Sequence, residues 1–160
     1  MSINVRLKNS VARLVGQCNG IMKMHADGRK CADILVQLSA VASSINTCSK
    51  KIFDYHINEC LTQDDDKAHE LHELNDMLDT ISTTKLEGSL DDAITHLNAA
   101  LDGHSCIEIL HEFRLAYAVV IYNAGKLFSH HLSHVLVNDN NGSAGEELKE
   151  MTNLYFKMLK

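Results

Sequence analysis

Apolar residues recur along this chain at alternating steps of four and three over long stretches. One set runs Ile34, Leu38, Val41, Ile45, Cys48, Ile52. That spacing collects the side chains on one stripe of an α-helix and makes a seam for a second helix. A second set, Ile109, Phe113, Ala116, Val120, Asn123, Leu127, repeats it with Asn123 as a polar break. Upstream, Val11, Leu14, Val15, Cys18, Ile21, Met22 and Met24 predict a helix across INVRLKNSVARLVGQCNGIMKMHADG that ends near a glycine turn. Three shorter helices are expected in AHELHELNDMLDTI, GSLDDAITHLNAALDG and EELKEMTNLYFKML, the last with Ser143 as N-cap and Glu146 at capping-box spacing. TQDDDK reads as a linker and NDNNGSAG as a loop. The chain contains no proline, so nothing interrupts the long helical patterns. The fold class is therefore all-α.

The two long patterns are copies. With a shift of 75 residues and no gap, residues 27–62 lie over 102–137 with nine identities in 36 positions. They include Asp27/Asp102, Gly28/Gly103, Cys31/Cys106, Lys51/Lys126, Phe53/Phe128 and His56/His131. Two copies are too few for a solenoid. They suit a pseudo-dimer within one chain, with residues 1–80 as the first three-helix unit and 81–160 as a degenerate second. The expected architecture is an antiparallel bundle in which the two long helices bury their seams against each other.

Composition adds compartment and charge. At 45% hydrophobic and 22% charged, the 160 residues are ordinary for a globular chain. No apolar run approaches the roughly 20 residues of a bilayer span, and the N-terminus lacks a signal-peptide core, so the expectation is a cytoplasmic protein without membrane partners. Five cysteines spread along helices are not a secreted disulfide framework. Residues 1–61 carry +4 and residues 62–160 carry −10, so nucleic acid could be met by one face only. No paired carboxylate, nucleophile–base motif or Gly-rich phosphate loop marks an enzyme.

The candidate chemistry lies at the ends of the long helices. Cys31 and His56 would sit about 37 Å apart on one helix, too far for one ion. If the two long helices run antiparallel about their centres, Cys106 faces His56 and Cys60, which share a helix face four residues apart. That is one complete Cys/His/Cys set. At the other end Cys31 faces His131, and the matching third position is Val135; His130 and His134 are the nearby candidates for completing that second, incomplete set. Two thiolates and an imidazole favour Cu(I). Zn(II) usually takes a fourth ligand, and neither zinc, nickel nor pure thiol chemistry is excluded by the spacing. Cys18 and Cys48 read as packed thiols on apolar seams. His69, His72, His96, His104 and His111 read as solvated.

RLVGQCNGIMKM, then Cys31 with IL-x-QLSAV-x-SS, then His56-x3-Cys60, resemble the metal-sensing transcriptional repressors of the CsoR type across residues 3–61, and faintly across 89–137. The resemblance implies a disc-like all-α assembly of three-helix protomers, bound to operator DNA as an oligomer and released by its inducer. It implies that Cys31, His56 and Cys60 belong to a copper-type ligand triad, matched in the second copy by Cys106 and His131. Here a homo-oligomer of pseudo-dimers would be the DNA-binding unit, with Arg6, Lys8, Arg13, Lys50 and Lys51 as its phosphate-contacting residues. The chain departs from the family where a paired arginine precedes the GQ motif, since only Arg13 stands there. The alternative is a metal-binding or thiol-based sensor, or a partner subunit, that has lost the operator.

Overall fold

The computed structural model describes residues 3–56, 58, 72, 76, 86–138 and 144–159. Five helices account for most of them: α1 (Ile3–Ala26), α2 (Cys31–Tyr55), α3 (Leu90–Leu101), α4 (Cys106–Asn138) and α5 (Ala144–Met158). No strand occurs among the described residues. The fold class is all-α. The helix expected around 68–81 lies outside the described residues except for His72 and Asp76, which are helical. Ser143, His69 and the boundary at 80/81 also lie outside them.

α1 and α2 are joined by a tight reversal. Gly28 takes φ +73°, a left-handed conformation that a side chain would strain. The N–H groups of Asp27, Gly28 and Arg29 donate to the carbonyls of Lys23, His25 and Met24 at 2.8, 3.1 and 3.0 Å, which satisfies carbonyls left open at the helix end. The Asp102-Gly103 pair, 75 residues on, is used differently. A Cβ on Gly103 would stand 2.8 Å from Cγ1 of Ile109, so glycine there lets the turn between α3 and α4 close against the start of α4.

α3 begins at Ser89, whose N–H donates to Oδ2 of Asp92 at 2.8 Å. The polar break Asn123 explains itself here. Its Nδ2 donates to the carbonyl of Gly88 at 3.0 Å and to that of Val119 at 2.8 Å, so it pins the start of α3 to the middle of α4.

α2 and α4 form the centre of the bundle. α2 packs on α1, α4 and α5, while α4 packs on α2, α3 and α5. The α2 seam is buried along its whole length: Ile34, Leu38, Val41, Ile45, Cys48 and Ile52. On α4 the seam holds at its centre, with Phe113, Ala116 and Val120 buried, but Ile109 and Leu127 are only half-buried. Leu110, Val119 and Ala124 are buried as well, because α4 is enclosed from more than one side. α2 is also long and apolar enough by length and composition to cross a bilayer, a property that counting unbroken apolar runs misses. Here its apolar stripe is spent on neighbouring helices.

α5 runs antiparallel to α4. Tyr117 donates its hydroxyl to the carbonyl of Met158 at 2.8 Å, and Phe128 stacks on Tyr155 with centroids 5.2 Å apart. A Cβ on Gly125 would lie 2.8 Å from the Tyr155 hydroxyl, so the ring of Tyr155 rests directly on the backbone of α4 and would have to shift for a larger residue.

Truncating Phe113, which is 0% exposed, to Ala should cost about 3–5 kcal/mol in a denaturant titration. Phe156→Ala, at a site 57% exposed, should stay within about 0.5 kcal/mol.

Candidate metal centre

The relation between α2 and α4 decides which ends meet. Nη2 of Arg114 on α4 donates to Oδ1 of Asn46 and, at 3.5 Å, to Oγ of Ser49 on α2. At the far end, Cys31 feels the charge of Glu147 in the first turn of α5. Since α5 is antiparallel to α4, its first turn lies toward the C-terminal end of α4. Cys31 therefore sits near the end of α4, while Asn46 and Ser49 sit near its start. The two long helices are antiparallel. Stepping eight residues back from Arg114 reaches Cys106, and eight forward from Asn46 and Ser49 spans positions 54–57, which include His56. The same counting in the other direction sets His131 against positions 29–32, which include Cys31.

His56 ends α2. It is 6% exposed, and both ring nitrogens are shielded from solvent. The backbone widens to a π-type turn at His56 and Asn58, a departure often found at functional sites. Cys106 opens α4 and is half-buried. Cys60, the third member of the expected set, lies outside the described residues. The buried imidazole and the thiol at its level are a donor set that suits a thiophilic ion.

At the opposite end, Cys31 and His131 are half-buried while His130 and His134 are exposed. Nε2 of His131 is buried and has no hydrogen-bond partner among the described residues. Burial pushes the Cys31 thiol up, and the Glu147 carboxylate adds to it against a backbone hydrogen bond that lowers it. Among the described residues no three His, Cys, Asp or Glu side chains form a cluster able to hold a metal. Val135 stands at the matching position in the sequence.

Cys18 is wholly buried, and desolvation pushes its thiol up to about 11. Cys48 is 8% exposed on the α2 seam. Both pack as small apolar groups. His72 and His104 are exposed, as expected of solvated histidines, and His111 is half-buried. His96 departs from that expectation: it is half-buried, and its Nδ1 lies 2.8 Å from Oε2 of Glu112, bridging α3 and α4.

Arg6, Lys8, Arg13, Lys50 and Lys51 are all exposed. Arg6 and Lys51 line one open groove of about 590 Å³ between the start of α1 and the end of α2, above Leu7, Cys48 and Ile52. Arg13 is seven residues from Arg6 and shares its face of α1. Lys8 is about 200° around the helix from Arg6 and points elsewhere.

Residues 4–83 match the family model described as metal-sensitive transcriptional repressor. The chain belongs to that family. It is a family of transcriptional repressors, not enzymes. The copper-sensing transcriptional repressor RicR of Mycobacterium tuberculosis is 35% identical over 51 residues, covering 32% of this chain and 53% of RicR. The copper-sensing transcriptional repressor CsoR of Bacillus subtilis is 34% identical over 56 residues, covering 35% of this chain and 55% of CsoR. The chain thus spans about half the length of these curated relatives. No solved structure matches it.

Two groups near this metal-sensitive-repressor frame escape a reading by motif. Arg114 was visible only as a lone charge in the apolar run EFRLAYAVV, with Tyr117 one turn on. Glu147 carries no local signal, because α5 alone brings it to Cys31.

The burial differences predict an alkylation order. Native protein treated with iodoacetamide near neutral pH should modify Cys31 and Cys106 well before Cys18. Peptide mass spectrometry reads the order, and Cys18 should react only after denaturation.

Proposed function

We propose that this chain is a cytoplasmic, metal-responsive transcriptional repressor whose inducer is Cu(I), built as a pseudo-dimer of two three-helix units in one polypeptide. The observation that supports it best is the antiparallel stagger of α2 and α4, which sets Cys106 at the level of the buried His56. In this reading Cys106, His56 and Cys60 are the complete ligand set, and Cys31 with His131 is an incomplete one. When bound, the ion supplies a thiophilic centre joining the end of α2 to the start of α4. His56 would present its imidazole from a buried helix end, and Cys106 would bind as the thiolate, its proton passing to solvent. Regulation requires that the ligated arrangement of α2 against α4 differ from the free one in its affinity for DNA. Arg6, Arg13, Lys50 and Lys51 supply the phosphate-contacting face, with Lys8 on another side of α1. A homo-oligomer of such chains engages the operator, and the exposed stripe Val36, Ala40, Ser43, Thr47 on α2 is available for assembly.

A second reading has its own support. Asp91 and Asp92 are exposed at the start of α3, the second unit's counterpart of α1. Acids there repel phosphate, so a metal-binding partner subunit that leaves DNA contact to another chain remains the competing function.

Cu(I) titration against a competing chelator tests the ligand set. His56→Ala and Cys106→Ala should each weaken binding by more than roughly 100-fold, because disturbing even the groups that orient ligands costs about 10–100-fold. Cys31→Ala should leave it nearly intact. A preference for Zn(II) or Ni(II) in the same titration would reassign the ion. A mobility shift on the protein's own upstream DNA at two salt concentrations separates the two functions. Arg6→Ala and Lys51→Ala should each reduce the salt dependence by about one phosphate contact. Absence of any shift at low salt selects the partner-subunit reading.

A further inference from the structure

The apolar seams of α2 and α4 do not choose a partner by themselves. Each is a run of aliphatic knobs at the same period, so α2 could pair with α4, or with the α2 of a second chain, at little difference in apolar burial. Polar contacts across such seams are what fix partner and stagger.

Arg114 supplies one. Its Nη2 donates to Oδ1 of Asn46 and to Oγ of Ser49 at 3.5 Å, two acceptors one helical turn apart. The Ser49 hydroxyl donates to the carbonyl of Ile45 at 2.9 Å, which leaves its oxygen lone pairs to receive the arginine. The guanidinium lies 4.7 Å from the centroid of the Tyr117 ring, whose hydroxyl is held by the carbonyl of Met158 at the end of α5. Nε of Arg114 is buried with no partner among the described residues, and desolvation lowers the pKa of the group. A cation in this setting depends on the acceptors it has.

The contact exists on one side of the pseudo-two-fold only. The positions matching Arg114, Asn46 and Ser49 through the 75-residue shift are Ser39, Ile121 and Ala124. Two α2 helices paired together would set serine against Asn46 and Ser49. Two α4 helices would leave Arg114 against Ile121 and Ala124.

We propose that Arg114 is the positioning residue that makes α2 pair with α4 rather than with a second α2, and so fixes which cysteine meets His56. This rests on the reading of the Cys106–His56–Cys60 site given above. Pairing of two α2 helices at the same stagger would instead bring Cys31 of one chain to His56 of the other.

The test uses the full-length chain without metal. In an α2–α2 pair at this stagger, position 44 of one chain lies against position 43 of the other, so Ser44→Cys reports that pairing as a diamide-induced dimer on a non-reducing gel. The same chain with native Ser44 is the background. With Arg114 intact the Ser44→Cys dimer should stay at background. Arg114→Ser should raise it roughly tenfold or more, the ratio expected from losing a hydrogen bond to a charged group. Asn46→Ala, at an exposed position, should raise it less and serves if Arg114→Ser fails to fold by circular dichroism. A dimer at background in both variants, or one already abundant with Arg114 intact, overturns the proposal. A copper arm tests the site separately. In the Arg114→Ser background the thiolate-to-copper absorption should become sensitive to Cys31→Ala. Loss of Cys106 dependence with Arg114 intact would sink the metal reading while leaving the dimer result to stand.

Discussion

The antiparallel contact between α2 and α4 is the constraint on which everything else rests. Donors about 37 Å apart along one rod cannot serve one ion. A second rod laid beside the first in the opposite sense brings donors from both to each end. The burial pattern shows what that arrangement takes. α2 commits a complete apolar stripe to its neighbours, and α4 is enclosed by α2, α3 and α5. The smaller features serve this contact. Gly28 turns α1 back along α2, Asn123 ties α3 to α4, and Gly125 lets Tyr155 of α5 close on the backbone of α4.

The two ends of the helix pair are chemically unequal. One end offers a buried imidazole at the level of a half-buried thiol. The other has a thiol whose pKa is raised by burial and then by the Glu147 carboxylate, and valine stands at the sequence position matching Cys60. Charge is divided between helices instead, with exposed bases on α1 and α2 and exposed acids at the start of α3. Closure of the bundle depends on apolar period, whereas the chemistry at each end depends on individual residues.

Much of this was legible from periodicity. The α2 stripe, the α1 core positions and the packed thiols Cys18 and Cys48 follow from spacing and polarity, which act locally along a helix. The misses have non-local causes. Ile109 and Leu127 are only half-buried while Leu110, Val119 and Ala124 go inside, because α4 has several neighbours and a single seam describes one of them. His96 read as solvated because its carboxylate partner, Glu112, belongs to another helix. Asn123 read as a flaw in a seam because the carbonyl it caps arrives from a turn 35 residues earlier. The Asp-Gly identity hid a difference of use, since Gly28 supplies a left-handed turn and Gly103 makes room for Ile109 at the start of the next helix.

That α2 and α4 belong to one polypeptide has a consequence for dilution. A cavity shared by separate subunits is lost as they dissociate, so its occupancy falls with protein abundance. Joined on one chain, each helix experiences its mate at a local concentration on the order of millimolar, whatever the copy number in the cell. The pairing of these two helices is therefore indifferent to how many molecules the cell holds.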